Sequence, residues 1–107
     1  MNPIWDFSFN NLFGPLPHFH EKLDGLFLSS NMFSEFVPSF CTMSPKSLTY
    51  LELSSNLLAG SLPNCWEKFQ SLIVLNLANN SLSGRIPKSV GMLRQIESIH
   101  FDNNKFS

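Results

Sequence analysis

The sequence predicts a right-handed α/β solenoid, with short parallel strands on its concave side and irregular or 3₁₀ segments on its convex side. Two observations predict it: apolar residues recur with a period of 24, and an asparagine keeps the same register. Self-similarity at a fixed period of this size is typical of solenoid proteins. A chain of 107 residues is long enough for one small domain. We therefore expect residues 1–107 to form one solenoid of about four and a half coils.

The period is clearest in three consecutive stretches, which begin at Leu48, Leu72 and Ile96. Each stretch has apolar residues at its fourth and sixth positions and an asparagine at its ninth. Two less regular stretches with the same pattern lie upstream, at 5–17 and 23–38. The steps between successive asparagines are 21, 25, 24 and 24 residues, and these asparagines are Asn10, Asn31, Asn56, Asn80 and Asn104.

Each position of the pattern has a physical interpretation. Apolar residues that alternate along a strand point to one side of it, and the residues between them point to the other. One coil cannot bury its apolar side, but a stack of coils encloses a continuous core. The asparagine amide carries donors and acceptors, so it can satisfy backbone groups at the turn that follows the strand. We therefore expect the five asparagines to form a buried ladder.

A second motif, x-Leu-x-Gly-x-(Ile/Leu)-Pro, follows the asparagine in three coils and ends at Pro17, Pro63 and Pro87. Glycine permits a backbone bend that a Cβ atom would resist, and proline ends the short extended piece. The full pattern resembles the plant-specific leucine-rich repeat, and the resemblance covers essentially the whole chain. The first coil departs from it because it has no leading leucine, and the second because Glu35 stands in the glycine column. We expect irregular geometry in the first two coils.

The segment 62–66 and the following 75–80 are similar to receptor-like proteins of plant defence, in particular those that perceive a fungal xylanase. The resemblance implies a segment of a membrane-anchored receptor on the extracellular face of the plasma membrane, active in defence or developmental signalling. It also implies a protein or peptide ligand and a co-receptor kinase as partners. A secreted protein similar to polygalacturonase inhibitors and a truncated, non-signalling gene remnant are the alternatives. The chain carries no signal peptide, no apolar stretch long enough to span a membrane and neither of the family's caps, so we expect an ectodomain fragment.

The two cysteines occupy similar places on adjacent coils. Cys41 follows Asn31 by 10 residues, and Cys65 follows Asn56 by 9. Equivalent Cα atoms of adjacent coils are about 5 Å apart, which is within the range of a disulfide. A disulfide and a pair of free buried thiols are both consistent with this placement. Asn79 begins the triplet Asn-Asn-Ser and is a candidate site of N-glycosylation.

The sequence gives no indication of catalysis, of a cofactor or of nucleic-acid binding. The formal net charge is −1, whereas a phosphate-binding surface needs clustered lysine and arginine. His18, His20 and Glu21 are the only cluster that resembles metal ligands, and we interpret them as solvated loop residues because no third histidine or cysteine lies nearby. There is no nucleophile elbow and no glycine-rich phosphate loop. We therefore expect a binding protein without a metal.

The residues between the apolar positions of each strand are predicted to form the concave face. Solenoids use this face for recognition, and aromatic side chains beside polar groups make good anchors. The candidate ligand-binding residues are Phe27, Tyr50, Glu52, Asn76 and His100. The alternative is that these are ordinary solvated strand positions.

Overall fold

The computed structural model describes residues 2–17, 19, 22–42 and 46–107, in which short strands alternate with turns and with 3₁₀ helices. The strands are β1 (Ile4–Asp6), β2 (Phe13–Pro15), β3 (Gly25–Phe27), β4 (Met32–Glu35), β5 (Tyr50–Glu52), β6 (Ala59–Ser61), β7 (Val74–Asn76), β8 (Ser81–Gly84), β9 (Ser98–His100) and β10 (Lys105–Phe106). The 3₁₀ helices are η1 (Pro38–Thr42), η2 (Trp66–Lys68) and η3 (Lys88–Met92). None of the described helices has the length and apolar character needed to cross a membrane.

The odd-numbered strands form one parallel sheet in the order β1-β3-β5-β7-β9. Its central row pairs Trp5, Leu26, Leu51, Leu75 and Ile99 in unbroken register. The three leucines of this row are buried in the core, as the alternation along each strand predicts. The predicted solenoid with a parallel sheet on one side and 3₁₀ segments on the other is confirmed.

The segments that follow the asparagines are more regular than the sequence predicts. They form two further parallel sheets, β2-β4 and β6-β8-β10, on the flank of the solenoid. Gly60 and Gly84 adopt φ values of 82° and 74°, which only glycine reaches without strain. Glu35 stands in the glycine column of the second coil without a positive φ, and the pairing of β2 with β4 shifts there so that Pro15 faces Glu35. The flank sheet is interrupted between β4 and β6, where this coil departs from the motif.

Below the sheet, an aromatic cluster fills the core between η1 and η2. Phe40 is buried, and its ring stacks on that of Phe69 with centroids 5.5 Å apart. The Trp66 ring lies 5.6 Å from the Phe40 ring. Next to this cluster, Cys41 and Cys65 form a disulfide with their Cα atoms 5.6 Å apart. The bond covalently joins the second coil to the third.

The ladder asparagines link adjacent coils by side-chain hydrogen bonds. Asn56 donates from its side-chain amide to Leu53 O and to Leu28 O in the preceding coil, and its Oδ1 accepts from the Phe33 backbone N–H. Equivalent bonds are made at Asn31, Asn80 and Asn104. The buried ladder that the sequence predicts is wrong at its first position, because Asn10 is exposed and donates only to carbonyls of its own coil. Asn104 is half-buried and donates to Leu77 O in the preceding coil.

The residue before each ladder asparagine has a left-handed backbone conformation. The φ values lie between 54° and 59°, and the residues are Phe9, Ser30, Ser55, Asn79 and Asn103. This conformation reverses the chain after the strand, so that the next side chain points into the core. Asparagine tolerates it better than other residues with a Cβ atom.

A candidate ligand-binding surface on the concave sheet

The structure places the five predicted binding residues on one face of the central sheet. Phe27, Glu52, Asn76 and His100 pair directly with one another across β3, β5, β7 and β9. Tyr50 lies in the adjacent row, between Gly25 and Val74. We call these five residues the candidate surface. Because they project from a hydrogen-bonded sheet, their spacing is set by the strand register.

An aromatic platform forms one part of the candidate surface. The rings of Phe27 and Tyr50 are stacked, with centroids 6.2 Å apart and planes inclined by 26°. Tyr50 is 41% exposed. A Cβ atom at Gly25 would lie 3.0 Å from Cε2 of Phe27, so the absence of a side chain there leaves room for the Phe27 ring. The Phe27 ring therefore occupies the space above Gly25 and stacks against the ring of Tyr50.

A half-buried carboxylate lies beside this platform. Burial raises the pKa of Glu52, while a hydrogen bond from the Asn76 side chain and the proximity of His100 act in the opposite direction. The Asn76 Oδ1 atom accepts from the Ala78 backbone N–H at 3.1 Å, which leaves the amide nitrogen to donate to Glu52. The Oε1 atom of Glu52 is shielded from solvent and has no hydrogen-bond partner. The carboxylate therefore has hydrogen-bonding capacity that the chain itself does not satisfy.

Polar side chains continue the face at both ends of the sheet. The Ser98 Oγ and His100 Nε2 atoms are 2.9 Å apart, and His100 is exposed. At the other edge, the side-chain and backbone hydrogen bonds from Ser8 lower the pKa of Asp6. Asp6 pairs with Phe27 in the same row that contains Glu52. An aromatic centre with polar groups on either side resembles the arrangement of a small protein–protein contact.

Sorting the charges by repeat position reveals a pattern that the sequence analysis missed. The five strand segments, 2–10, 23–31, 48–56, 72–80 and 96–104, contain no lysine or arginine. They contain five carboxylates: Asp6, Asp24, Glu52, Glu97 and Asp102. All lysines and arginines of the chain lie in the connecting segments. The lysines and arginines look scattered along the chain, but they are absent from the strand segments, in which His100 is the only histidine.

The candidate glycosylation site lies near the candidate surface. Asn79 is exposed and follows Asn76 by three residues. Its Oδ1 atom accepts a hydrogen bond of 2.7 Å from the Asn103 side chain. Glycosylation of Asn79 stays a prediction.

The histidine cluster of the sequence analysis cannot be placed, since His18, His20 and Glu21 lie outside the described residues. Among the residues that the structure does describe, no group of three histidine, cysteine, aspartate or glutamate side chains could hold a metal ion.

Comparison with known proteins finds a matching repeat family and a similar plant receptor-like protein. Residues 47–69 and 71–93 match the family described as Leucine Rich Repeat. The receptor-like protein EIX2 from Solanum lycopersicum is 37% identical over 69 residues, which are 64% of this chain and 7% of that protein. The chain therefore spans a small part of the curated relative.

Two solved structures of plant receptors superpose on almost the whole chain. The plant peptide hormone receptor RGFR1 in complex with RGF2 gives a TM-score of 0.89 at 34% identity, over 97% of this chain and 17% of that chain. The PEPR1–AtPEP1 structure gives a TM-score of 0.87 at 36% identity, over 97% and 15%.

Proposed function

We propose that this chain, which belongs to the leucine-rich-repeat proteins and is similar to plant receptor ectodomains, binds a protein or peptide ligand on its concave face. In this proposal it is a recognition segment of a cell-surface receptor-like protein. The parent protein would present it on the extracellular side of the plasma membrane.

The observation that carries the proposal is the grouping of the candidate surface on adjacent strands. Phe27 and Tyr50 offer a stacked, partly exposed apolar platform, and aromatic anchors of this kind dominate the energetics of many interfaces. Glu52, Asn76 and His100 place an acceptor, an amide and an imidazole in one row beside it. Because the sheet holds these groups in fixed positions, little conformational entropy is lost when a ligand binds.

The relatives support a ligand of the peptide or protein class. RGFR1 is described as a peptide hormone receptor and was solved in complex with RGF2. The extension to this chain is part of the proposal, since the match covers 17% of RGFR1. A role in defence or development and a co-receptor kinase as second partner stay predictions from the resemblance.

The experiment is a selection of phage-displayed random peptides on the 107-residue chain, followed by binding measurements on variants. Phe27→Ala with Tyr50→Ala removes the platform. Ile86→Ala with Met92→Ala removes two exposed apolar side chains away from the concave sheet and serves as the matched control. We expect the platform variant to lose at least about tenfold in affinity for the selected peptides and the control to lose less than about twofold.

Circular dichroism of both variants checks that the fold is retained. If no peptide is enriched, or if the enriched peptides bind the platform variant as tightly as the wild type, the concave face is not the recognition surface and the proposal fails.

A further inference from the structure

We propose that the concave face selects a positively charged peptide. In this proposal an arginine or lysine side chain of the peptide lies between the Tyr50 ring and the Glu52 carboxylate. This inference rests on the proposed function, because it names the chemistry of the ligand that the same face would bind.

The first argument is the distribution of charge. Every lysine and arginine of the chain lies outside the five strand segments, and five of the carboxylates lie within them. The fields of Asp6, Glu52 and Asp102 therefore add on the concave side without a lysine or arginine of the strand segments to neutralise them. Such a face attracts cations and repels anionic ligands, and charge complementarity of this kind governs partner choice.

The second argument is the position of the carboxylate relative to the aromatic rings. Tyr50 and Glu52 are separated by one residue on β5 and point to the same side of the sheet, at a spacing of about 7 Å along the strand. Phe27 pairs with Glu52 from the neighbouring strand. A guanidinium or ammonium group that stacks on an aromatic face can donate hydrogen bonds to a carboxylate at its edge. The remaining exposed area of Tyr50 gives that group a surface to stack on.

The third argument is the unmet capacity of Glu52. Asn76 is its side-chain donor and His100 acts on it through charge, while Oε1 is shielded and without a partner. A carboxylate has about four acceptor lone-pair positions. The chain supplies Asn76 as a side-chain donor, so the half-buried group can accept further hydrogen bonds from a ligand. Hydrogen bonds between charged partners are roughly twice as strong as those between neutral ones. An arginine or lysine of the ligand gains both the hydrogen bond and the charge interaction.

The experiment is an NMR titration of the ¹⁵N-labelled 107-residue chain with two probes of equal shape. One is the dipeptide Ac-Phe-Arg-NH₂, and the other carries citrulline, which replaces the charged guanidinium by a neutral urea group. We expect the arginine probe to shift the backbone amides of Tyr50, Glu52 and Asn76, with an affinity at least about tenfold higher than that of the citrulline probe. The difference should shrink when sodium chloride is raised from about 50 to about 300 mM, because salt screens exposed charges.

Two variants locate the charge. Glu52→Gln keeps the shape and the contact with Asn76, and we expect it to bind the arginine probe no better than the citrulline probe. Glu67→Gln, in η2 on the other side of the solenoid, should leave the preference unchanged. If Glu52→Gln loses its dispersed spectrum, the two probes and the salt series on the wild-type chain decide the question alone.

The outcomes separate this inference from the proposed function. Equal affinity of the two probes for the same concave amides would overturn the selection of cations but leave peptide binding on this face intact. Shifts confined to residues outside the strand segments would overturn the inference, and the phage selection would then decide the proposed function independently.

Discussion

The upstream and downstream halves of the solenoid, residues 2–42 and 46–107, are built from the same repeat but differ in regularity. Downstream, three flank strands pair continuously, and Gly60 and Gly84 have the positive φ that Gly14 also has in the first coil. Upstream, the flank pair β2-β4 has a shifted register, and Phe9 and Phe13 are 81% and 79% exposed.

The difference shows that a coil is ordered by its neighbours as much as by its own sequence. Asn56 satisfies backbone groups of its own coil and of the one before it, whereas Asn10 bonds only within its own coil. The same residue type in the same column therefore has a different energetic value in the first coil and in the coils that follow it. The concave face spans both halves, since Phe27 comes from the upstream half and Glu52 from the downstream half.

Substitution of a core leucine by alanine should give the largest difference in unfolding free energy between the two halves. Leu75→Ala removes a fully buried side chain from the central row of the sheet, and we expect a loss of about 3 kcal/mol in the free energy of unfolding. Leu12→Ala, at a side chain that is 40% exposed, should cost about 1 kcal/mol. Urea unfolding measures both. Equal losses would contradict the description of the upstream coil as the less enclosed one.

Removal of the disulfide should have an effect of similar size. Cys41→Ser with Cys65→Ser releases a bond that spans 24 residues of sequence and joins the two halves. The unfolded chain then gains conformational entropy, and we expect a loss of about 3 kcal/mol under oxidising conditions. Under reducing conditions the wild type and the variant should unfold at nearly the same urea concentration. A thiol titration that finds two free thiols in the oxidised wild-type chain would contradict the pairing.

The ladder should be sensitive to position. Asn56→Ala leaves the buried Phe33 N–H without its acceptor and removes one of the two asparagine donors to each of the Leu28 and Leu53 carbonyls, so we expect a loss of about 2 kcal/mol or more. Asn10→Ala should change stability by no more than about 0.5 kcal/mol, because Asn10 is exposed. If both substitutions cost the same, the ladder does not depend on neighbouring coils.

One substitution among the residues with a left-handed backbone conformation should stabilise the fold. Ser55 has φ 54°, and the next two coils carry asparagine in the same conformation. Because asparagine tolerates this region better than serine, Ser55→Asn should raise the melting temperature, with a gain of about 0.5 kcal/mol. Ser55→Val is the opposing control, since a β-branched residue is strained there. A gain from valine would show that backbone conformation does not decide stability at this site.

Glu52 predicts a small dependence of stability on pH. Because burial raises its pKa, ionised Glu52 destabilises the folded state at pH 7, and this penalty disappears as the pH falls through the raised pKa toward the ordinary value of 4.5. Because Glu52 is partly exposed and water screens its charge, the effect is small. Glu52→Gln should therefore be more stable than the wild type at pH 7, by no more than about 0.5 kcal/mol. The two proteins should converge at about pH 4. Thermal melts at both pH values check this, and a variant that is less stable at pH 7 would contradict it.

Much of this organisation follows from the sequence because each repeat column has a single physical role. The columns predicted the strand register and the grouping of the five candidate residues, and they placed Cys41 beside Cys65. They did not predict the flank sheets, because the hydrogen bonds of β6 with β8 depend on how far each coil turns after its strand. They also did not predict the support of Phe27 by Gly25, which depends on a side-chain rotamer and not on register. The absence of lysine and arginine from the strand segments can be seen in the sequence, but only after the residues are sorted by repeat column.

Hydrogen exchange of the backbone amides that donate to ladder asparagines tests most directly whether neighbouring coils determine local order. The Leu58 and Phe33 amides bond to Asn80 and Asn56 within the buried part of the ladder, whereas the Leu12 amide bonds to Asn31 at a partly exposed position. We predict that Leu58 and Phe33 exchange only through global unfolding and that Leu12 exchanges through local opening, with a smaller free energy. Equal protection of all three amides, or faster exchange at Leu58 than at Leu12, would contradict this account.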